Sequence, residues 1–92
     1  MITCRNIYIH ELIGLRVRVV SSFSEPYEGL GGIVVDETRN TLVVETGGRR
    51  LCIPKRPCVF EFVIPSGDRC RVRGVDILNR PENRPKRFRL GR

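Results

Sequence analysis

Two β-branched runs, Ile33-Val34-Val35 and Thr41-Leu42-Val43-Val44, flank the polar stretch Asp36-Glu37-Thr38-Arg39-Asn40. Asn tolerates the left-handed backbone that closes short hairpin loops, so this run reads as a β-hairpin. It is entered through Gly29, Gly31 and Gly32, which permit the sharp bend or bulge that a small barrel needs. The hairpin strands are expected to form the central pair of the sheet. Asp36 and Asn40 are expected to bond the turn backbone locally.

Other strands follow from alternation. In Leu15-Arg16-Val17-Arg18-Val19-Val20, Leu15, Val17 and Val19 share one face, and Arg16 and Arg18 the other. Residues 21–28 are polar, contain Pro26 and read as a loop. Thr46-Gly47-Gly48 makes a tight turn that returns residues 49–53 onto the second hairpin strand. Pro54 stops that strand, and Lys55-Arg56 form a basic loop ending at Pro57.

Cys58, Phe60, Phe62 and Ile64 line one face of the next strand, with Val59, Glu61 and Val63 on the other. After the turn Pro65-Ser66-Gly67-Asp68, Arg69, Arg71 and Arg73 alternate with Cys70 and Val72. For Phe62 and Cys70 to share the core they must sit opposite each other. Phe60 then faces Val72, and Cys58 faces Gly74. That register separates Cys58 from Cys70 by about 13 Å at ~3.4 Å per residue. A disulfide needs Cα atoms within ~7 Å, so no bridge is expected between them.

The ends are less regular. Thr3 can cap a short helix in which Ile7, His10, Glu11 and Leu12 lie within two turns, with Ile9 and Ile13 spaced four apart and Gly14 at its end. It is too short to be stable alone and must dock on the domain or on a partner. Beyond Asp76, Pro81 is placed to start a helical turn, and Pro85 interrupts any extension. Residues 86–92 form a basic tail expected to stay disordered until bound. The whole reads as mainly β, with five or six short antiparallel strands closing as a small, strongly bent barrel. An N-terminal helical segment (1–13), the barrel (14–75) and a helical turn with basic tail (76–92) divide the chain.

The chain has 92 residues and a net charge of +7, and fifteen of its seventeen basic residues are Arg. Arg engages phosphate with a rigid planar fork, so an excess of this kind points to nucleic acid. Six basic residues and one Glu fall in residues 80–92, so the excess sits largely at one end. The alternative for each strand stripe is a solvated outer face. No apolar run approaches the ~20 residues that span a bilayer, and no signal-peptide pattern is present, so a cytoplasmic protein is the expectation. Cys4, Cys52, Cys58 and Cys70 lack the close pairing of a zinc site and read as buried free thiols. His10 has no nucleophile or carboxylate constellation around it, and no paired carboxylates or phosphate-cradling loop appear elsewhere. A non-catalytic role follows.

The stretches His10-Glu11-Leu12-Ile13-Gly14-Leu15 and Val35-Asp36-Glu37-Thr38-Arg39-Asn40-Thr41-Leu42 resemble archaeal ribonuclease P protein component 1. Pro54-Lys55, Phe60-Glu61-Phe62 and Arg80-Pro81-Glu82-Asn83-Arg84 resemble its later blocks in the same order. The cysteines and the Gly47-Gly48-Arg49-Arg50 turn depart from the family pattern. The resemblance implies an Sm-like barrel within the ribonucleoprotein that removes the 5′ leader of precursor tRNA. It implies that catalysis and its magnesium belong to the RNA, that this chain binds no cofactor, and that a zinc-ribbon protein subunit is its companion. Precursor tRNA would be met only indirectly.

RNA contact is expected from Arg16, Arg18, Lys55, Arg56, Arg69, Arg71, Arg73, Arg80, Arg84, Lys86, Arg87 and Arg89, and partner contact from Ile7, Tyr8, Glu11 and Leu12. A protein–protein adaptor and a ribosome-associated small-barrel protein are the alternative functions.

Overall fold

The computed structural model describes residues 1–23 and 26–84. Six antiparallel strands form one sheet: β1 (Arg16–Ser22), β2 (Gly31–Glu37), β3 (Thr41–Thr46), β4 (Arg49–Pro54), β5 (Cys58–Val63) and β6 (Arg69–Arg73). Their order is β4-β3-β2-β1-β5-β6. The fold is mainly β as expected, but the ladder is open: among the described residues no hydrogen-bonded pairing joins β4 to β6. The hairpin strands β2 and β3 are both interior, yet the central pair is β2 with β1.

Alternation explains which side chains are inside. Val17 and Val19 of β1, Phe60 and Phe62 of β5, and Cys70 and Val72 of β6 are buried, while the arginines between them in β1 and β6 are exposed. Phe62 faces Cys70 and Phe60 faces Val72, the register derived from the core positions. Leu42, Val44 and Ile53 complete the inner face from β3 and β4. The β3–β4 turn puts Gly47 and Gly48 at φ 57° and 78°, the two consecutive left-handed residues of a type I′ two-residue hairpin.

Two bulges interrupt the alternation, one at Val20 and one at Val35. The second matters most. Strict alternation from buried Val34 would turn Asp36 inward and Glu37 outward. The extra residue reverses this, leaving Asp36 exposed and Glu37 buried.

The β2–β3 loop is not closed by a left-handed Asn40. Among the described residues, the one non-glycine with positive φ is Asn79, at 72°. The loop is held by Thr38, whose hydroxyl lies 2.6 Å from that of Thr41 and accepts from the Thr41 N–H at 3.1 Å. Asp36 does bond locally, accepting from the Glu37 N–H at 2.8 Å.

The expected N-terminal helix is only a 3₁₀ turn, Ile7–Ile9. Thr3 and Asn6 brace its entry by exchanging side chain-to-backbone bonds at 2.7 and 3.2 Å. Ile7 and Leu12 are fully buried in the core, so neither offers a partner-binding surface; the segment docks on its own sheet. Further 3₁₀ turns span Gly74–Ile77 and Pro81–Asn83, the latter with Pro at its start as anticipated.

The cysteines also differ from the free-thiol expectation. Cys4 and Cys70 form a disulfide with Cα atoms 5.2 Å apart, tying the N-terminal segment to β6 across 66 positions of sequence. Cys52 is free and exposed, and Cys58 is free and buried. Local spacing carries no trace of a pair so distant in sequence. No helix among the described residues is long and apolar enough to cross a membrane.

Candidate nucleic-acid interface and the ion cluster behind it

The outward face of β1, β5 and β6 carries the basic residues anticipated from alternation. Arg16 is in register with Val63, which pairs with Arg69; Arg18 is in register with Glu61, which pairs with Arg71. Arg73 continues the β6 stripe opposite Val59. Arg16, Arg18, Arg69, Arg71 and Arg73 are all exposed. Two have carboxylate neighbours: Arg18 lies 3.4 Å from Glu61, and Arg73 lies 3.0 Å from Asp76. With the Arg18 side chain 56% exposed and that of Arg73 70% exposed, these pairs orient the guanidiniums without withdrawing them from solvent. Arg56 and Arg80 are exposed outside the strands. Lys86, Arg87 and Arg89 lie outside the described residues.

Lys55 and Arg84 must be removed from the list of phosphate contacts. Lys55 is 0% exposed and Arg84 3%, and both turn inward onto Glu37. The Lys55 ammonium donates to Glu37 Oε2 at 2.9 Å and to the carbonyls of Thr38 at 2.8 Å and Asn79 at 3.0 Å. Arg84 Nη1 donates to the same Glu37 oxygen and to the carbonyls of Ile77 at 3.2 Å and Asn79 at 3.0 Å. Its Nε and Nη2 donate to the carbonyls of Tyr8 and His10, each at 2.6 Å.

Two cations thus share one carboxylate, and the excess positive charge is spread over backbone carbonyl dipoles. Burial pushes the Lys55 pKa below its ordinary value, while Glu37 pulls it partly back. The left-handed turn at Asn79 aims its carbonyl at both cations while its N–H donates to the Arg39 carbonyl at 2.7 Å. Glu37 Oε1 is buried with no hydrogen-bond partner among the described residues. Gly74 is in van der Waals crowding with the Lys55 backbone, where a Cβ would overlap the carbonyl.

The cluster therefore knots together the N-terminal turn, the β2–β3 loop and the C-terminal turns. Sequence reasoning missed it because the bulge at Val35 reverses the face of Glu37. A usable signal existed: Glu37, Lys55 and Arg84 each fall in a different block of the resemblance, which suits residues that meet in space. Of the expected partner contacts, Tyr8 is half-buried and Glu11 exposed, so these two alone keep accessible surface.

Residues 5–87 match the family model described as Ribonuclease P/MRP, subunit p29. Ribonuclease P protein component 1 of Methanothermobacter thermautotrophicus is 48% identical over 91 residues, covering 97% of this chain and 98% of the relative. The protein of the same name from Methanosphaera stadtmanae is 46% identical over 87 residues, covering 95% and 94%. The solved structure of Mth11, a homologue of human RNase P protein Rpp29, matches with a TM-score of 0.61 at 45% identity, over 83% of this chain and 99% of that one. On sequence and on fold alike, the chain belongs to the ribonuclease P/MRP subunit p29 family.

Proposed function

We propose that this protein is a non-catalytic, RNA-binding subunit of ribonuclease P, acting on the 5′ leader of precursor tRNA only through the assembled ribonucleoprotein. Family membership carries the reading, since the relatives are named ribonuclease P protein components. RNA contact is supported by five exposed arginines on one sheet face. Guanidinium groups spaced across strands suit phosphates and RNA shape rather than base sequence. Catalysis and magnesium are assigned to the RNA. A zinc-ribbon companion protein is assigned to the neighbourhood of Tyr8 and Glu11, beside the point where Arg84 bonds the Tyr8 and His10 carbonyls. Action within the cytoplasm completes the proposal.

Reconstitution of precursor-tRNA cleavage from the RNA and companion subunits, with and without this chain, tests it. The chain is expected to raise the rate or lower the magnesium requirement and to cleave nothing by itself. An unchanged rate and magnesium requirement would refute the reading.

A further inference from the structure

The outer face of the sheet is not a flat array of arginines. Between Arg16 and Arg18 on β1 and Arg69 on β6 lies a notch of about 430 Å³, reaching Gly31 and Gly32 on β2. Its origin is in the register. Arg18 has Gly31 as its neighbour on one side and Glu61 on the other, so one side chain is missing from the row. Gly31 cannot be filled, because a Cβ there would lie 2.6 Å from the Val17 carbonyl oxygen. Close packing of β2 on β1 thus holds the notch open.

Three guanidiniums and one carboxylate give the notch a net positive charge. Arg16 and Arg69 are two strands apart, on the order of 10 Å at ~4.8 Å per strand. They therefore flank the opening from opposite sides, with Val63 between them in register. Forked donors on both sides and bare glycine backbone fit a chain of phosphates and sugars, which needs charge and close approach but no base-reading groups. Glu61 opposes that ligand's charge and at the same time holds Arg18 in place at 3.4 Å.

We infer that this notch seats a sugar–phosphate strand of RNA, with Glu61 orienting Arg18 and limiting affinity. The inference rests on the RNA-binding reading above and adds the place of contact. It does not require the tail.

The test uses the full-length chain and a fluorescently labelled ribonuclease P RNA transcript, titrated from 50 to 200 mM salt. The double variant Arg16→Ala/Arg69→Ala is compared with Arg5→Ala/Arg39→Ala, which removes the same charge at two exposed arginines that neither line the notch nor belong to the expected RNA contacts. The notch variant is expected to bind at least tenfold more weakly than this control, with the log–log salt slope flattened by about 2 for two lost phosphates. Glu61→Gln, which keeps the shape, is expected to tighten binding about threefold by removing a like charge. If wild type binds but the notch variant matches the control, or Glu61→Gln leaves affinity unchanged, the notch is overturned while RNA binding stands. If wild type does not bind, both fall.

Discussion

Replacing Arg84 with Met removes the group that joins the N-terminal turn and the C-terminal 3₁₀ turns to the hairpin. Arg84 donates to Glu37 and to the carbonyls of Tyr8, His10, Ile77 and Asn79. Its side chain is 1% exposed, so solvent cannot replace those donors without local opening. Removing one partner of a buried, hydrogen-bonded ion pair costs about 3–5 kcal/mol. Lys55 remains to neutralise Glu37, which keeps the expectation near the lower end, ~3 kcal/mol. For a domain of this size each kcal/mol lowers Tm by roughly 4–8 °C, so a fall of about 12–24 °C is expected.

Arg84→Lys is expected to lose most of the same stability, because one ammonium cannot reach both Tyr8 and His10 as the planar fork does. Urea and thermal denaturation followed by circular dichroism measure the loss, with Arg80→Met as an exposed reference expected within ~0.5 kcal/mol of wild type. Hydrogen exchange should show its greatest loss of protection in residues 1–14. An Arg84→Met protein within 1 kcal/mol of wild type would refute the view that this cluster organises the N-terminal and C-terminal turns.

Four further outcomes follow from the same structure. Lys55 has its pKa lowered by burial from the ordinary 10.5, so the unfolded chain binds more protons between the lowered value and 10.5. Stability from this group therefore rises with pH across that window; the stability gap between wild type and Lys55→Met should shift in favour of wild type as pH increases, and a flat or falling gap in chemical denaturation would contradict it. Cys4→Ser, or reduction of the Cys4–Cys70 bridge, should cost up to about 4 kcal/mol for a loop of this length, read as a Tm shift that a reductant abolishes. Native alkylation should mark Cys52 alone, since burial shields the Cys58 thiol and pushes its pKa up; a doubly modified native protein would count against that burial. Gly31→Ala should destabilise by about 1–3 kcal/mol through overpacking against the Val17 carbonyl, and a neutral result in urea denaturation would refute the tight β1–β2 approach.

The strand faces were legible because an alternating pattern needs only the two-residue period of a pleated chain. Arg16 and Arg18 against Val17 and Val19, and Arg69, Arg71 and Arg73 against Cys70 and Val72, could be assigned without knowing any neighbour. The β5–β6 register followed from requiring Phe60 and Phe62 to share a core with Val72 and Cys70. Gly47-Gly48 announced its turn through the left-handed backbone that the pair adopts freely. The resemblance to component 1 was legible too, and family membership follows from the comparisons.

Contacts between distant segments were not legible. Cys4 and Cys70 are joined by the docking of the N-terminal turn on β6, which no spacing rule encodes. Lys55 and Arg84 looked like two more surface cations among seventeen basic residues. Their burial depends on Glu37 pointing inward, and that depends on one extra residue at Val35.

The hairpin run at residues 33–44 thus determined by itself that two strands would pair and that the chain would be mainly β. Only the tertiary structure decided that its loop would hold the N-terminal turn and the C-terminal 3₁₀ turns through Glu37, Lys55 and Arg84. The physical reason is that alternation is a local property of the backbone, whereas a bulge inverts it according to what the strand must pack against.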